Sequence, residues 1–278
     1  MSHFLLSNMS KTLTILFIGD IVGNPGMNAV RLFLKSFIDK HHADIVILNG
    51  ENICNGKGVT EKEANELFAL GAHVITTGNH IWENWQSRPL LATNPMVLRP
   101  YNYPPGNAGK GMTILELPNL PAIGVLQLQG RTYMQSIDCP FRGADHAIAK
   151  LREKTPIIIV DFHADATAEK ISMGWHLDGR VSAVLGTHTH VQTADATILP
   201  KGTAYISDVG MTGPYDSVLG MSKEVALKRL LLQTAHKYEM AEHDAKLSGV
   251  VLTIDRETGK SETIEPFQYP PMRRSIHE

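Results

Sequence analysis

Short apolar runs that break off at a polar corner recur along the chain. The first is LTILFIGD (13–20), followed by ADIVILNGEN (43–52), HVITTGNH (73–80), TPIIIVDFHADAT (155–167) and VSAVLGTHTH (181–190). Each predicts a strand, because runs this short, rich in Val and Ile and bounded by turn residues, suit a sheet better than a helix. After the first of them, GMNAVRLFLKSFIDKHH sets Val30, Leu32, Phe33, Leu34 and Phe37 at helical spacing, and Pro25 suits a first helical turn. TEKEANELFALG (60–71) opens on Thr60 and Glu63, the spacing of a capping box. TAEKISMGWHL predicts a further helix, and SKEVALKRLLLQTAHKYE an amphipathic one.

Three stretches read as strand pairs instead: GMTILELPNLPAIGVLQLQG (111–130), ATILPKGTAYISDVGM around Pro200-Lys201-Gly202, and KLSGVVLTIDRETGKSETIEPF turning at Thr258-Gly259. RPYNYPPGNAGKG (99–111) is loop. Strands alternate with helices in the first third and again over 155–190, while hairpins fill the middle and the end. That mixture predicts a layered α/β fold rather than a pure parallel sheet. The chain shows no internal repeat and no linker, so the expected organisation is a flexible leader, 1–12, and a single domain, 13–278.

The charge balance narrows the partners. Lys and Arg number 26 against 28 Asp and Glu, a net charge of −2, which speaks against a dedicated nucleic-acid or membrane surface. The two cysteines, Cys54 and Cys139, form no Cys-x-x-Cys pair. They predict a reducing, cytoplasmic setting without a disulfide framework. No apolar run approaches the roughly 20 residues needed to cross a bilayer. A homo-oligomer is compatible with all of this.

The chemistry sits at the corners. Asp20, Glu51 with Asn52, Asn79 with His80, His163, and His188 with His190 each follow one of the five apolar strands. In open α/β sheets, side chains beyond the carboxyl ends of neighbouring strands converge on the ligand. The eight residues comprise two carboxylates, two carboxamides and four imidazoles, with no thiolate. Such donors suit Mn, Fe or Zn rather than a sulfur-seeking ion. Eight donors exceed the needs of one ion and suit two, about 3.5–4 Å apart, sharing a carboxylate. Phosphoester hydrolysis is the leading chemistry for such a pair.

The stretches GDIVGNPG, NGEN, GNH, DFHADAT, GTHTHVQTAD and ISDVGMTGPYDSVLGM together resemble the YmdB-type branch of the calcineurin-like metallophosphoesterases. The resemblance runs from about Leu13 to the C-terminal hairpin. It implies a four-layer α/β/β/α sandwich with mixed sheets, and hydrolysis of small cyclic nucleotides such as 2′,3′-cyclic AMP by a metal-bound hydroxide. It further implies two divalent ions, Fe or Mn before Zn. Asp20, Asn52 and His190 would hold the first, Asn79, His163 and His188 the second, and Glu51 would bridge them. His80 would stand off the ions, facing the phosphate as the catalytic residue. The wider superfamily opens on Asp-x-His, whereas this chain reads Asp20-Ile21-Val22, so Asn52 would replace the absent imidazole. Substrate-binding residues stay unassigned. A phosphomonoesterase or nuclease with the same centre, and a metal-bound regulatory protein with residual catalysis, are the competing readings.

Several other residues have plainer expectations. Asp161 and Asp165 flank His163 and are expected to orient an imidazole or cap a helix. Asp208 is expected in a turn or a pocket wall, and Trp82 and Trp85 in helix packing.

Overall fold

The computed structural model describes residues 10–271; most of the expected leader, 1–9, lies outside them. Elements are numbered in chain order. Along β1 (Thr12–Ile18), Leu13, Ile15 and Phe17 face one way and Leu16 and Ile18 the other, and both faces are buried. A strand covered on both sides must be apolar throughout, which is why these strands appear as unbroken runs. β1 starts at Thr12, inside the expected leader.

β1 lies between β2 (Ile45–Asn49), parallel to it, and the long antiparallel β11 (Ala245–Asp255). β3 (Val74–Thr76) extends the parallel side, β12 (Ser261–Tyr269) forms the closing hairpin with β11, and β10 (Gly213–Pro214) pairs the start of β11. The second sheet runs β4 (Met112–Leu115), β5 (Ile123–Gln129), β6 (Ile158–His163), β7 (Ala183–Thr187), β9 (Ala204–Ile206), β8 (Thr197–Ile198). Both sheets are mixed. Their inner faces meet in a shared apolar layer built from Leu13, Ile15, Ile47, Val125, Ile159, Leu185, Ile206 and Leu252.

Helices close the outer faces. α1 (Gly23–His41), α2 (Glu61–Ala69) and α3 (Ser87–Thr93) lay Val30, Leu34, Phe37, Leu67 and Leu91 on the first sheet. α4 (Pro140–Arg152) and α5 (Thr167–Leu177) lay Ala147, Ile148, Leu151, Met173 and Leu177 on the second. The result is the expected α/β/β/α order of layers.

Local expectations fared unevenly. Leu32 belongs to the helical pattern of α1 yet is 71% exposed. Thr60 precedes α2, but its hydroxyl donates to the Glu63 carboxylate instead of capping a backbone N–H. α6 (Lys223–Leu232) ends well short of the predicted helix, at Gln233 in left-handed conformation, and Leu227, Leu230, Leu231 and Leu232 are exposed. Trp82 packs on Tyr103, whereas Trp85 is exposed and packs into no helix interface. No helix among the described residues is long and apolar enough to cross a membrane.

Candidate metal centre

The parallel strands β1, β2 and β3 of one sheet, and β6 and β7 of the other, release their chains at the same end of the sandwich. Asp20, two residues past β1, is buried; its Oδ2 accepts the backbone N–H of His188 at 3.1 Å. Asn49 closes β2 and folds its side-chain oxygen onto the N–H of Glu51 at 3.1 Å, which turns the Glu51 carboxylate inward. Glu51 Oε2 then accepts the His80 N–H at 3.2 Å, and Oε1 lies 2.9 Å from His163 Nε2. Gly78 makes this approach feasible. A Cβ there would stand 2.2 Å from Glu51 Oε2 and 2.4 Å from His163 Nε2.

His163 is the hub. Around its Nε2 stand Glu51 Oε1 at 2.9 Å, Asn79 Oδ1 at 3.1 Å and His188 Nδ1 at 3.1 Å. Its Nδ1 lies 2.8 Å from Thr187 Oγ1, and that hydroxyl donates to the buried Asp161 at 2.7 Å. Because the hydroxyl spends its own proton on Asp161, it accepts from His163, so Nδ1 carries the hydrogen. Nε2 is left for a ligand, as in metal sites where a carboxylate fixes the imidazole tautomer from behind. Asp161 also accepts from Thr76 Oγ1 at 2.5 Å and Asn49 Nδ2 at 2.9 Å.

The last two imidazoles come from a strained turn. His188 and His190 hold φ of 99° and 63°, a region that side-chain-bearing residues seldom enter. Thr189, between them, is held by Asp208, whose carboxylate accepts its N–H at 2.9 Å and its hydroxyl at 2.7 Å. Asp208 is in turn paired at 2.9 Å with Lys170, both side chains almost wholly buried. Asp208 is therefore neither a turn residue nor a pocket wall but a support under this loop. His190 Nδ1 donates to Leu219 O at 3.1 Å.

Asn52, His80 and His190 line, together with Glu51 and His188, a cavity of about 520 Å³ that Lys57, Arg229 and Tyr238 complete. His80 Nδ1 lies 2.7 Å from Glu83 Oε1, and Glu83 also pairs with Lys57 at 2.9 Å. Thus Glu51, Asn79, His163 and His188 form one tight cluster, Asp20 is buried against it, and Asn52, His80 and His190 face the adjoining cavity. Asp165 reaches the rim, 3.7 Å from His188 Nε2.

With His163 protonated on Nδ1 alone, the state that can take a ligand, three buried oxygens, Asp20 Oδ1, Glu51 Oε1 and Asn52 Oδ1, have no hydrogen-bond donor. Buried polar atoms are otherwise nearly always satisfied, so three orphaned oxygens in one place fit a cation. The His and carboxylate atoms of Glu51, His163 and His188 all fall within 4.8 Å of one another, close enough to share an ion. The donor set fits a divalent metal. Protonation follows the same logic. Burial disfavours charge on both Glu51 and His163, but their mutual attraction prevails, holding Glu51 down at about 2 and lifting His163 to about 9. Burial and the neighbouring His163 charge push His188 down to about 3. Burial also raises Asp20.

Fold and donor set together define a hydrolase of the metallophosphoesterase type, an enzyme of its phosphodiesterase branch. The chain belongs to the YmdB-like family, whose model, described as YmdB-like protein, matches residues 16–267. It is 49% identical over 251 residues to the 2′,3′-cyclic-nucleotide 2′-phosphodiesterase of Bacillus subtilis (strain 168), covering 90% of this chain and 95% of that protein. Two crystal structures superpose on it. A hypothetical protein from Thermus thermophilus gives a TM-score of 0.85 at 40% identity, covering 92% of this chain and 99% of that one. A phosphatase from Mycoplasma pneumoniae gives 0.88 at 33% identity, covering 94% of each chain.

Proposed function

We propose that the chain hydrolyses 2′,3′-cyclic nucleotides at a centre of two divalent ions. The three orphaned oxygens of Asp20, Glu51 and Asn52, beside the His163 cluster, carry this reading. Asp20, Glu51, Asn52 and His190 would hold one ion, and Glu51, Asn79, His163 and His188 the other, with Fe or Mn suiting mixed oxygen and imidazole donors. When bound, such a pair supplies Lewis acidity toward phosphoryl oxygens and acidifies water. The similarity to the Bacillus phosphodiesterase supports a small cyclic nucleotide as substrate. A cytoplasmic setting agrees with that substrate and with the two unpaired cysteines, Cys54 and Cys139.

The chain's own contribution centres on His80. Glu83 accepts from Nδ1, so any second proton resides on Nε2, the nitrogen left for substrate. Its backbone N–H is tied to Glu51, which fixes the imidazole relative to the carboxylate that would bridge the ions. His80 thereby delivers a proton to the ribose oxygen that leaves when the ring ester opens. General acid catalysis contributes about 10²–10⁴-fold, so His80→Ala is expected to lower kcat on 2′,3′-cyclic AMP by that factor. The loss should be far smaller on bis(p-nitrophenyl) phosphate, whose leaving group needs no proton. Equal losses on both esters would remove His80 from the acid role. Turnover by the metal-loaded protein should favour 2′,3′-cyclic AMP over its 3′,5′ isomer, phosphomonoesters and RNA. A preference for monoesters or RNA would overturn the substrate assignment.

A pH dependence follows from the same cluster. In chelator-stripped protein His163 keeps its second proton up to about pH 9, and a metal must displace it. Affinity for Mn²⁺ should therefore rise about tenfold per pH unit between neutrality and pH 9 and level off above. Calorimetry at pH 7 in buffers of different ionisation enthalpy should count about one released proton per chain, from the site that His163 completes. A count of zero would contradict the charged state of His163.

A further inference from the structure

A second pocket adjoins the centre. Asn79 and His188, both members of the cluster, form part of its wall, and Trp82, Glu83, Tyr133, Met134 and Gln135 complete about 290 Å³. We propose that this pocket seats the base of the nucleotide, with Tyr133 as its stacking face. The proposal rests on the cyclic-nucleotide reading above and extends it to the recognition of the base.

Tyr133 is unusual in two respects. It is 87% exposed, more than any other large apolar or aromatic side chain among the described residues, and it stands on left-handed backbone at φ 61°. Such a conformation is disfavoured for a bulky residue and persists only where the surroundings impose it. Here they do. The Glu169 carboxylate, on α5, accepts the N–H groups of Arg131 and Thr132 at 3.1 Å each. At the far end Asn102 Nδ2 donates to Asp138 O at 2.9 Å. The segment between these anchors is thus held at both ends with an aromatic ring turned to solvent beside the reactive centre.

The remaining wall fits a base equally well. Trp82 packs on Tyr103, ring centres 5.2 Å apart, and supplies an apolar floor. The single Tyr103 hydroxyl proton goes to Gln129 Oε1 at 3.0 Å, and Gln135 Oε1 lies farther off, at 3.3 Å. The Gln135 side-chain amide lines the wall and brings an NH₂ that can donate to a ring nitrogen or carbonyl on the base edge. Every nucleobase has a stacking face and such an acceptor, so the pocket takes purines and pyrimidines alike. The larger cavity has a different character. Lys57 is paired with Glu83 there, and Arg229 is fastened to His236 O. Its one tyrosine, Tyr238, lies over Gly56.

The test compares 2′,3′-cyclic AMP with ribose 2′,3′-cyclic phosphate, the same ring ester without a base. Stacking of one base on an aromatic side chain is worth at least about fivefold. Wild type should prefer the nucleotide by that factor or more in kcat/KM. Tyr133→Ala should abolish most of the preference, chiefly through KM, and Tyr133→Phe should retain it. A Tyr133→Ala variant that keeps the preference overturns the proposal, as does its loss in Tyr238→Leu instead. Wild type that opens both esters without preference also overturns it, leaving the hydrolase reading standing. Wild type that opens neither overturns the cyclic-nucleotide reading itself, and the base pocket with it.

Discussion

Glu51→Gln is expected to lower kcat/KM for 2′,3′-cyclic AMP by about 10³-fold, since ionic stabilisation of a phosphoryl transition state is worth several kcal/mol and each 1.4 kcal/mol is about tenfold. The substitution preserves shape but not chemistry. Glu51 presents two oxygens, one to the His80 N–H and one to the space beside His163 Nε2. An amide has a single oxygen. Held by the His80 N–H, it turns its NH₂ toward His163 and places two hydrogens where a cation is expected. Turned the other way, it frees His80 from its anchor. Either orientation removes the negative charge that the buried imidazole cluster faces. Metal content of the purified variant, measured by emission spectroscopy, should fall in parallel with activity. Circular dichroism should match wild type, because β2 and the Asn49 side chain that orients this corner are untouched. Activity within tenfold of wild type at full metal occupancy would exclude Glu51 as the shared ligand.

The sandwich strands were legible because burial on both faces leaves no room for polar alternation. Each ends abruptly where Asp20, Glu51, Asn79, His163 or His188 takes over, so the corners that converge in space are also visible breaks in the sequence. Helices were less so. α4 has no counterpart among the predicted helices, although Pro140 at its start and Ala144, Ala147, Ile148 and Leu151 at helical spacing carry the signal. In α6 three consecutive leucines, Leu230 to Leu232, cannot share one face of a helix, which explains why the amphipathic expectation failed there. The supports of the site were least visible. Asp161 sits inside an apolar run, and Thr187 in a polar corner. Their joint role under His163 depends on β6 and β7 pairing in register, with His163 opposite Thr187. Lys170 and Asp208 are 38 residues apart, and nothing local to either predicts that a lysine in the first turn of α5 is buried.

That buried pair carries the second large expectation, on stability. Lys170→Met should destabilise the protein by about 3–5 kcal/mol, the usual cost of stranding one partner of a buried ion pair. For a chain of this size the melting temperature should fall on the order of 10 °C. Asp208 would retain Thr189 and the Gly210 N–H at 2.8 Å but lose Lys170, the one cation paired with it among the described residues. The penalty thus comes from an uncompensated charge rather than from a lost contact. Neutralising both members, Lys170→Met with Asp208→Asn, should then recover much of the stability, a non-additivity that thermal melts of the four proteins in the cycle would reveal. Metal affinity should not recover with it. The carboxylate oxygen that accepts both the Thr189 N–H and its hydroxyl keeps His188 and His190 in their strained conformations, and loosening such a support typically costs 10–100-fold in affinity. A Lys170→Met protein melting within 2 °C of wild type, or a double variant no more stable than the single, would show that the pair is not what holds this loop.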